Sequence, residues 1–452
     1  MAGMTQSAPS SRARRGVLCV VMVLVGVAIV AGARAATVIS ETTWGGPNAE
    51  VTNGAAVAAD GSTYLGGFTN SFDPSGQDNA FVVKFTPAGS LNWQRTFKGP
   101  GAFSIDHVNG VAVAPDGSVY AAGQTVGVGN DMLLLKLSAD GSLVWQRRWD
   151  TGGQETAEGV AVAADGSVYV TGTTDSFGGF GHLVVLRFTP AGTLVWQRTR
   201  DVATDAAVGM GQAITVAVDG SIYAAGVAPR AVVGEFDMLL LKLDPQGTLV
   251  WQRTFSAADV ADGRGGVAVA SDGSVYVAGG IQAVTKRTAV NDTFVAKFGS
   301  VGTLTWSRGY GGNEADFPGG VAPRADGTVL IGGETGSFGA GSDDAFLLQL
   351  DASGKGVACN SWGGAGIDHG DDVELAPDGT IVLAGTTASS APFTFASCAR
   401  QTSKLRATVA APNVPLADAT GTVADPGGTV ATPNGSSPGA GGTDAALVRI
   451  TP

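Results

Sequence analysis

Histidine and cysteine are scarce in this sequence, with three of each among 452 residues. So few imidazoles and thiols exclude a multi-cysteine zinc module and a disulfide-rich miniature scaffold. We expect His107, His182 and His369 to be exposed loop residues, because they lie in separate segments and form no zinc or general-base cluster. A phosphate-binding loop, a nucleophile elbow and a metalloprotease helix are also missing. No motif therefore indicates catalysis or an organic cofactor.

Positive charge and helical periodicity are also limited. The sequence has 27 basic against 39 acidic residues, an imbalance that argues against nucleic acid or an anionic membrane as a partner. No amphipathic heptad stretch is present, whereas the 69 glycines favour short strands and turns. The composition therefore predicts an all-β protein.

Residues 1–35 have the three parts of a secretory signal peptide. Three arginines between residues 12 and 15 precede an apolar run at residues 16–32 and the small-residue site Ala33-Arg34-Ala35. A single membrane anchor is the alternative, but the run is short and has no basic flank after it. We expect cleavage, leaving 23 basic and 39 acidic residues, a net charge of about −16, and no membrane span. The destination would be the periplasm, the cell surface or the medium.

A repeat of about 50 residues organises the rest of the chain. Its marker is an Asp-Gly pair between two β-rich runs, the signal of a β-hairpin turn. Spacings between successive copies lie between 49 and 56 residues. The seven aspartates are Asp60, Asp116, Asp165, Asp219, Asp272, Asp326 and Asp378.

A third and a fourth strand follow in each repeat, and the fourth carries a tryptophan. Trp-Gln-Arg begins at Trp93, Trp145, Trp196 and Trp251, and Trp-Ser-Arg at Trp306. The seventh repeat has no fourth strand after Arg449, but residues 37–46, with Trp44, match one. This permutation predicts a seven-bladed β-propeller of four-stranded antiparallel blades over residues 36–452, in which the N-terminal strand completes the C-terminal blade. An open β-solenoid explains the permutation less well.

The recurring tryptophans and basic residues have a structural interpretation. A sugar-stacking platform would not need a tryptophan in every blade, so we expect these rings to pack between neighbouring blades. The arginine of each Trp-Gln-Arg motif and the basic residue ending each third strand are expected to be solvated or to pair with carboxylates across strands.

The repeat unit Gly-Val-Ala-Val-Ala-x-Asp-Gly-Ser-Val-Tyr, followed by Gly-Thr-Leu-x-Trp, resembles the bacterial SBBP-type beta-propeller repeat. This resemblance covers nearly all of residues 37–450. It implies an exported bacterial propeller and little about activity. The hairpin at residues 243–251 is also similar to quinoprotein dehydrogenase repeats and to the Asp-box of sialidases, but a sialidase arginine triad and an eighth blade are missing.

Two acidic sets recur on the predicted face of variable loops. Each could accept hydrogen bonds from loop amides of its own blade. Alternatively, the first set could form a carboxylate ring at the channel mouth that holds a hard cation such as Ca²⁺. The first set stands ten residues before the Asp-Gly aspartate, at Glu50, Asp106, Glu155, Asp262, Asp316 and Asp368, with Gly209 in the fourth blade. The second set opens the third strands, at Asn79, Asp131, His182, Asp237, Asp292, Asp344 and Asp444.

The seventh blade carries an insertion at residues 386–443. Its Ala, Thr, Pro, Gly and Ser content predicts a long loop with a mobile Gly-rich end. Cys359 and Cys398 remain after signal cleavage, and in an oxidising compartment we expect them to form a disulfide that tethers the insertion to the sixth blade. Two free thiols are the alternative.

These features favour an exported, non-catalytic scaffold or binding protein, expected to be a monomer. Its variable-loop face would hold a protein or polysaccharide partner. The alternative is a glycan-acting hydrolase or lyase with Asp106, Asp262, Asp316 or Asp368 as acid and base. Six nearly equivalent carboxylates favour the scaffold, because an acid and a base need different pKa values.

Overall fold

A computed structural model describes most of the chain after residue 36. The predicted signal peptide at residues 1–35 lies outside the described residues. Those described are 37–101, 103, 105–126, 129–177, 181–200, 209–229, 236–256, 261–262, 265–285, 288–389, 394–398, 402–404, 408–410, 416–418, 420–425, 427, 429–433 and 443–451.

Seven antiparallel sheets form the blades of a propeller, as predicted. β1 is Val38–Trp44. Blade 1 contains β2 (Glu50–Val57), β3 (Thr63–Thr69), β4 (Asn79–Phe85) and β5 (Leu91–Lys98). Blade 2 contains β6 (His107–Val113), β7 (Val119–Val126), β8 (Asn130–Leu137) and β9 (Leu143–Asp150). Blade 3 contains β10 (Glu155–Val162), β11 (Val168–Thr174), β12 (His182–Phe188) and β13 (Leu194–Arg200).

The remaining blades follow the same up-and-down order. Blade 4 contains β14 (Met210–Val216), β15 (Ile222–Pro229), β16 (Phe236–Leu243) and β17 (Leu249–Ser256). In blade 5 the inner strand is split into β18 (Ala261–Asp262) and β19 (Val267–Val269), followed by β20 (Val275–Thr285), β21 (Thr288–Phe298) and β22 (Leu304–Tyr310). Blade 6 contains β23 (Asp316–Pro323), β24 (Val329–Thr335), β25 (Asp344–Leu350) and β26 (Gly356–Gly363). Blade 7 begins with β27 (Asp368–Leu375) and β28 (Ile381–Thr387).

Blade 7 is completed from both ends of the chain, which confirms the predicted closure. After a long insertion, β35 (Asp444–Ile450) pairs with β28, and β1 pairs with β35 on its other side. The register places Trp44 opposite Ala445. The inner strands of successive blades contact one another around the ring, and β27 contacts β2. Closing the ring in this way removes two open sheet edges.

The Asp-Gly hairpins explain why this dipeptide recurs. In blade 1, Gly61 donates its N–H to Ala58 O at 2.9 Å and Asp60 Oδ1 accepts the N–H of Ser62 at 2.8 Å. The glycine that follows each marker aspartate has a φ between +79° and +85°, a region that costs other residues energy. The backbone bond from Ser62 lowers the pKa of Asp60. An aspartate that binds the turn amide and a glycine with positive φ are therefore both required.

The tryptophans join neighbouring blades, as predicted. Trp251 Nε1 of blade 4 donates to Ser300 O of the next blade at 3.2 Å, and Arg253 Nε donates to Gly302 O at 2.8 Å. The Arg253 guanidinium lies 5.3 Å from the indole centroid, within cation–π range. These arginines thus bind turn carbonyls of the next blade, which differs from the solvated or carboxylate-paired state expected from the sequence. The same arrangement of indole and guanidinium occurs at Trp93, Trp145, Trp196 and Trp306.

The hydrophobic core is divided among the interfaces between blades. One cluster combines Tyr169 and Val185 of blade 3 with Ile222 and Leu239 of blade 4. Each blade buries its two faces against its neighbours, so no blade has a core of its own. Such an arrangement depends on a complete ring.

The insertion in blade 7 contributes strands to the other six blades. We call residues 394–431 the belt. Its strands pair antiparallel with the outer strand of blade 6, then of blades 5, 4, 3, 2 and 1, in that order. The sequence predicted a loop here. Strands of three or four residues rich in Thr and Ala are too short to show the alternation of apolar and polar residues that predicts a β-strand. The strands are β29 (Thr394–Ser397), β30 (Thr402–Lys404), β31 (Thr408–Ala410), β32 (Leu416–Asp418), β33 (Thr422–Ala424) and β34 (Thr429–Ala431).

A disulfide holds the start of the belt. Cys359 of β26 is bonded to Cys398, which follows β29, with a Cα–Cα distance of 5.3 Å. Cys398 N also donates to Cys359 O at 3.1 Å. The predicted pairing thus connects the insertion of blade 7 to blade 6. Residues 434–442, in the Gly-rich end expected to be mobile, lie outside the described residues.

Candidate functional site

The predicted acidic ring consists of buried residues that each bond within one blade. In blade 6, Asp316 Oδ2 accepts Gly312 N and Ser337 Oγ, both at 2.8 Å, and Oδ1 accepts the hydroxyl of Thr335. Burial raises the pKa of Asp316, and these donors lower it in part. The carboxylate therefore ties the loop entering blade 6 to the loop after its second strand.

The same spacing recurs around the propeller. Glu50, Asp106, Glu155 and Asp368 are each fully buried, and each accepts a backbone N–H from the preceding loop and the hydroxyl of the threonine nineteen residues later. The side chain of Asp262 lies outside the described residues. Among the described members of this set, none lines the central channel. Their geometry is that of a repeated loop latch, the first of the two interpretations drawn from the sequence.

The channel is lined by a different position, seven residues before each Asp-Gly aspartate. We call this set the channel ring. All seven members line both channel cavities, which have volumes of about 350 and 210 Å³. The larger cavity reaches the variable-loop face, where Phe317 and Gly370 also line it. In order of blades, the channel ring is Asn53, Asn109, Glu158, Gln212, Gly265, Gly319 and Asp371.

Amide side chains link the first blades of the channel ring. Asn53 Nδ2 donates to Val108 O at 2.9 Å and to Asn109 Oδ1 at 3.2 Å, and Asn109 Nδ2 donates to Ala157 O at 2.9 Å. Each asparagine therefore reaches the inner strand of the next blade. The order of these bonds runs from blade 1 to blade 3.

The channel ring has glycine at blades 5 and 6. A Cβ on Gly319 would lie 2.5 Å from the backbone oxygen of Asp371, closer than a real contact allows. The inner strands of blades 6 and 7 therefore approach each other so closely that blade 6 has no space for a side chain at this point. The channel ring is asymmetric, with polar side chains on one side and bare backbone on another.

The polar side of the channel is acidic. Burial raises the pKa of Glu158 to about 7. Burial, and then the charge of Glu334, raises the pKa of Asp371 well above its ordinary value, while Thr386 Oγ1 donates to Asp371 Oδ2 at 3.1 Å. Asp372 and Glu374, farther along the same strand, have pKa values raised by burial. Among the described residues that line the two cavities there is no lysine or arginine.

The three histidines lie in different blades and have separate partners. His107 Nε2 lies 3.1 Å from Asp78 Oδ2, and His369 Nδ1 lies 3.3 Å from Glu334 Oε2. His182 is 1% exposed, and His107 and His369 are half-buried in β6 and β27, so the expectation of three exposed loop histidines was wrong. His182 opens β12 at a position that the blade interface covers. The geometry supports no shared histidine site.

The channel ring could not be recognised from the repeat pattern, because its members share no chemistry. One register position of the inner strands is occupied by asparagine, glutamate, glutamine, glycine or aspartate in different blades. The acidic latch position, in contrast, is almost the same in every blade. Aligning the seven repeats by their Asp-Gly aspartates and asking which inner-strand position varies would have identified the channel ring.

Comparison with known proteins supports the beta-propeller family and leaves the SBBP repeat type as a resemblance. A model described as "Domain of unknown function (DUF5122) beta-propeller" matches residues 163–194 and 324–355. The regulatory protein FlaEY of Caulobacter vibrioides is 29% identical over 221 residues, which are 44% of this chain and 22% of that protein. The chain thus matches less than a quarter of the length of this relative.

Two solved structures of proteins of unknown function are also similar. The protein from Bacteroides caccae has a TM-score of 0.38 and 15% identity, over 61% of this chain and 88% of that one. The protein from Dyadobacter fermentans has a TM-score of 0.43 and 12% identity, over 92% of this chain and 99% of that one. Among the described residues no helix is long and apolar enough to cross a bilayer.

Proposed function

We propose that this chain is an exported, non-catalytic propeller that binds a hydroxyl-rich ligand, such as the end of a polysaccharide, in the acidic mouth of its central channel. The observation that carries this proposal is the asymmetry of the channel ring on a scaffold that otherwise repeats. A position needed for the fold would be the same in every blade, as the Asp-Gly turns and the acidic latches are. A position that differs from blade to blade suits a ligand without sevenfold symmetry.

The chemistry of the channel ring supports a hydroxyl-rich ligand. Amides both donate and accept hydrogen bonds and carboxylates accept them, which matches the hydroxyls of a sugar. Gln212 lines the larger channel cavity, and its Oε1 has no hydrogen-bond partner within the protein. A cavity of about 350 Å³ is within the usual size of small-ligand sites.

Export is supported by the predicted signal peptide and by the disulfide. Disulfides persist in oxidising compartments outside the cytosol. The name "regulatory protein" of the Caulobacter vibrioides relative is compatible with a non-catalytic role. Fractionation of the native host, with immunodetection of the chain in the cytoplasm, periplasm and medium, tests export directly.

Binding can be tested with a pair of matched variants. We expect a member of a panel of cell-wall oligosaccharides to bind the purified protein in calorimetry. Gln212→Leu should weaken that binding about tenfold, since it removes a hydrogen-bonding group in a buried site, about 1.4 kcal/mol. Gln246→Leu, at an exposed turn on the opposite face, should have no effect. Binding to no glycan of the panel, or equal binding by the Gln212→Leu variant, would contradict the proposal.

A glycan-cleaving enzyme is the second candidate, and one observation favours it. Glu158 and Asp371 line the same channel, and burial raises both pKa values, as a general acid requires. The acid and base suggested by the sequence, Asp106, Asp316 and Asp368, are instead held in buried latches. Release of reducing ends from glycans by the wild type and not by Glu158→Gln would establish catalysis. Binding without release supports the non-catalytic proposal.

A further inference from the structure

The two acidic sets meet at the seams between blades. We call the contact between consecutive blades a seam. At the seam of blades 6 and 7, Asp344 opens β25 and Asp368 opens β27, with Gly363 between them. A Cβ on Gly363 would lie 1.9 Å from Asp344 Oδ1 and 2.8 Å from Asp368 Oδ2. Two carboxylate oxygens of different blades therefore face one point.

The arrangement recurs at the seam of blades 5 and 6. There, a Cβ on Gly311 would lie 2.2 Å from Asp292 Oδ1 and 2.9 Å from Asp316 Oδ2. At both seams, Oδ1 of the aspartate that opens the third strand and Oδ2 of the aspartate that opens the next blade face the glycine position. The pairing is therefore a property of the repeat and not of one loop.

One oxygen of each pair is buried without a partner. Asp344 is 1% exposed, its Oδ2 accepts Gly341 N at 3.1 Å, and its Oδ1 has no hydrogen-bond partner. Asp292 Oδ1 is likewise buried and without a partner. Asp368 Oδ2 faces Asp344 Oδ1. It already accepts hydrogen bonds from Gly364 N and Ser389 Oγ, both at 2.7 Å. A buried carboxylate oxygen aimed at another carboxylate, with no donor between them, is costly unless a proton or a metal cation lies there.

Three of the other seams contain a protein cation or lack the acidic pair. At the seam of blades 7 and 1 an acidic pair recurs, since a Cβ on Gly45 would lie 2.1 Å from Asp444 Oδ1 and 2.4 Å from Glu50 Oε2. At the seam of blades 2 and 3, Asp131, Asp150 and Glu155 have ligand atoms within 4.8 Å of one another, but Arg148 lies 3.2 Å from Asp131 and 3.6 Å from Asp150. At the seam of blades 1 and 2, asparagine replaces the aspartate and Lys98 stands at the glycine position. At the seam of blades 3 and 4, His182 and Gly209 replace both acids.

The seams at blade 6 have no such compensation. Among the described ion pairs, none joins a lysine or arginine to Asp292, Asp316, Asp344 or Asp368. We propose that each of these two seams binds one hard divalent cation, of the Ca²⁺ class, between the carboxylates of neighbouring blades. Carboxylate oxygens are the ligands that such ions prefer, and water completes their coordination. Each ion occupies a separate site at its own seam, and the carboxylates do not form a common metal-binding ring in the channel. This inference does not depend on the proposed ligand of the channel.

The test measures metal content and thermal stability of the purified full chain. After EDTA treatment and equilibration with millimolar CaCl₂, elemental analysis should find bound calcium, and the Tm should exceed that in EDTA by at least about 2 °C. Asp344→Asn should lose one bound ion per chain and part of the Tm increase. The matched control is Asp131→Asn, the equivalent position at a seam where Arg148 supplies the charge, and it should lose no calcium.

Three results would overturn the inference. They are absence of bound calcium together with an unchanged Tm, retention of every ion by Asp344→Asn, and equal loss of calcium from the Asp131→Asn control. If Asp344→Asn does not fold, Asp292→Asn at the equivalent seam replaces it, with the same expected loss of one ion. Glycan binding is measured separately, so failure of one proposal leaves the other testable.

Discussion

Breaking the disulfide should destabilise the protein by an amount that the length of the bridged segment sets. Cys359 and Cys398 are 39 residues apart, and loop-closure entropy for this separation corresponds to about 4 kcal/mol. The belt strand β29 also pairs with β26 through its backbone, so we expect the native geometry to persist when the sulfurs are reduced. The loss therefore comes from a less restricted unfolded chain, and we expect the double variant Cys359→Ser/Cys398→Ser to lose about 2–4 kcal/mol.

Guanidinium unfolding of the oxidised wild type, the reduced wild type and the double variant measures this loss. With a slope of about 5 kcal/mol/M, the unfolding midpoint should fall by about 0.4–0.8 M. The reduced wild type serves as the control, because it should agree with the variant if the serines themselves cost nothing. A midpoint unchanged after reduction would refute the reasoning, since it would mean that the bridge does not restrict the unfolded chain.

Three further predictions concern the channel, the latches and the interface between blades. Burial raises the folded-state pKa of Glu158 to about 7, so its contribution to stability is complete below pH 4.5 and is lost as the pH rises through 7. Glu158→Gln should flatten the fall of Tm between pH 5 and 8, and a wild-type Tm that rises over this range would contradict the shift. Thr335→Val removes the hydroxyl donor of the Asp316 latch and should lower the free energy of unfolding in urea by about 1–3 kcal/mol. The control Thr429→Val, at an exposed belt position, should change it by less than about 0.5 kcal/mol. Arg253→Met removes the hydrogen bond to Gly302 O and the cation–π contact, and it should lower the free energy of unfolding by about 1–3 kcal/mol in the same assay. The control Lys355→Met, at an exposed turn, should leave the free energy of unfolding unchanged.

The belt gives the propeller a second closure besides that of blade 7. The N-terminal strand completes one blade, and the belt adds a fifth strand to the outer edge of each of the other six. Outer strands of propeller blades are sheet edges with unpaired backbone groups, which can pair with other chains. A segment that begins and ends in blade 7 covers these edges within the same molecule. The disulfide fixes its first strand, where the belt leaves blade 7.

Local signals explain what could be predicted from the sequence. Asp-Gly turns and alternating apolar runs act over a few residues, so seven copies define seven hairpins and a count of blades. The unpaired strand at Trp44 and the truncated seventh repeat predict the closure, because a missing strand at one end and an extra strand at the other must pair. The disulfide was predicted from the two cysteines that remain after the predicted signal cleavage.

The tertiary structure alone decided which polar residues face which environment. The acidic positions that repeat most regularly are latches buried in their own blades, while the less regular channel ring lines the cavity. Sequence periodicity reports what every blade needs, and a functional position is one that departs from it. The seam pairs and the course of the belt depend on contacts between residues about 24 to more than 300 positions apart, such as Asp344 with Asp368 and Lys98 with Thr429. The belt strands of three residues are too short to show a periodic pattern in the sequence. Their pairing partners are determined by the outer strands of the blades, which the closed propeller places around its circumference.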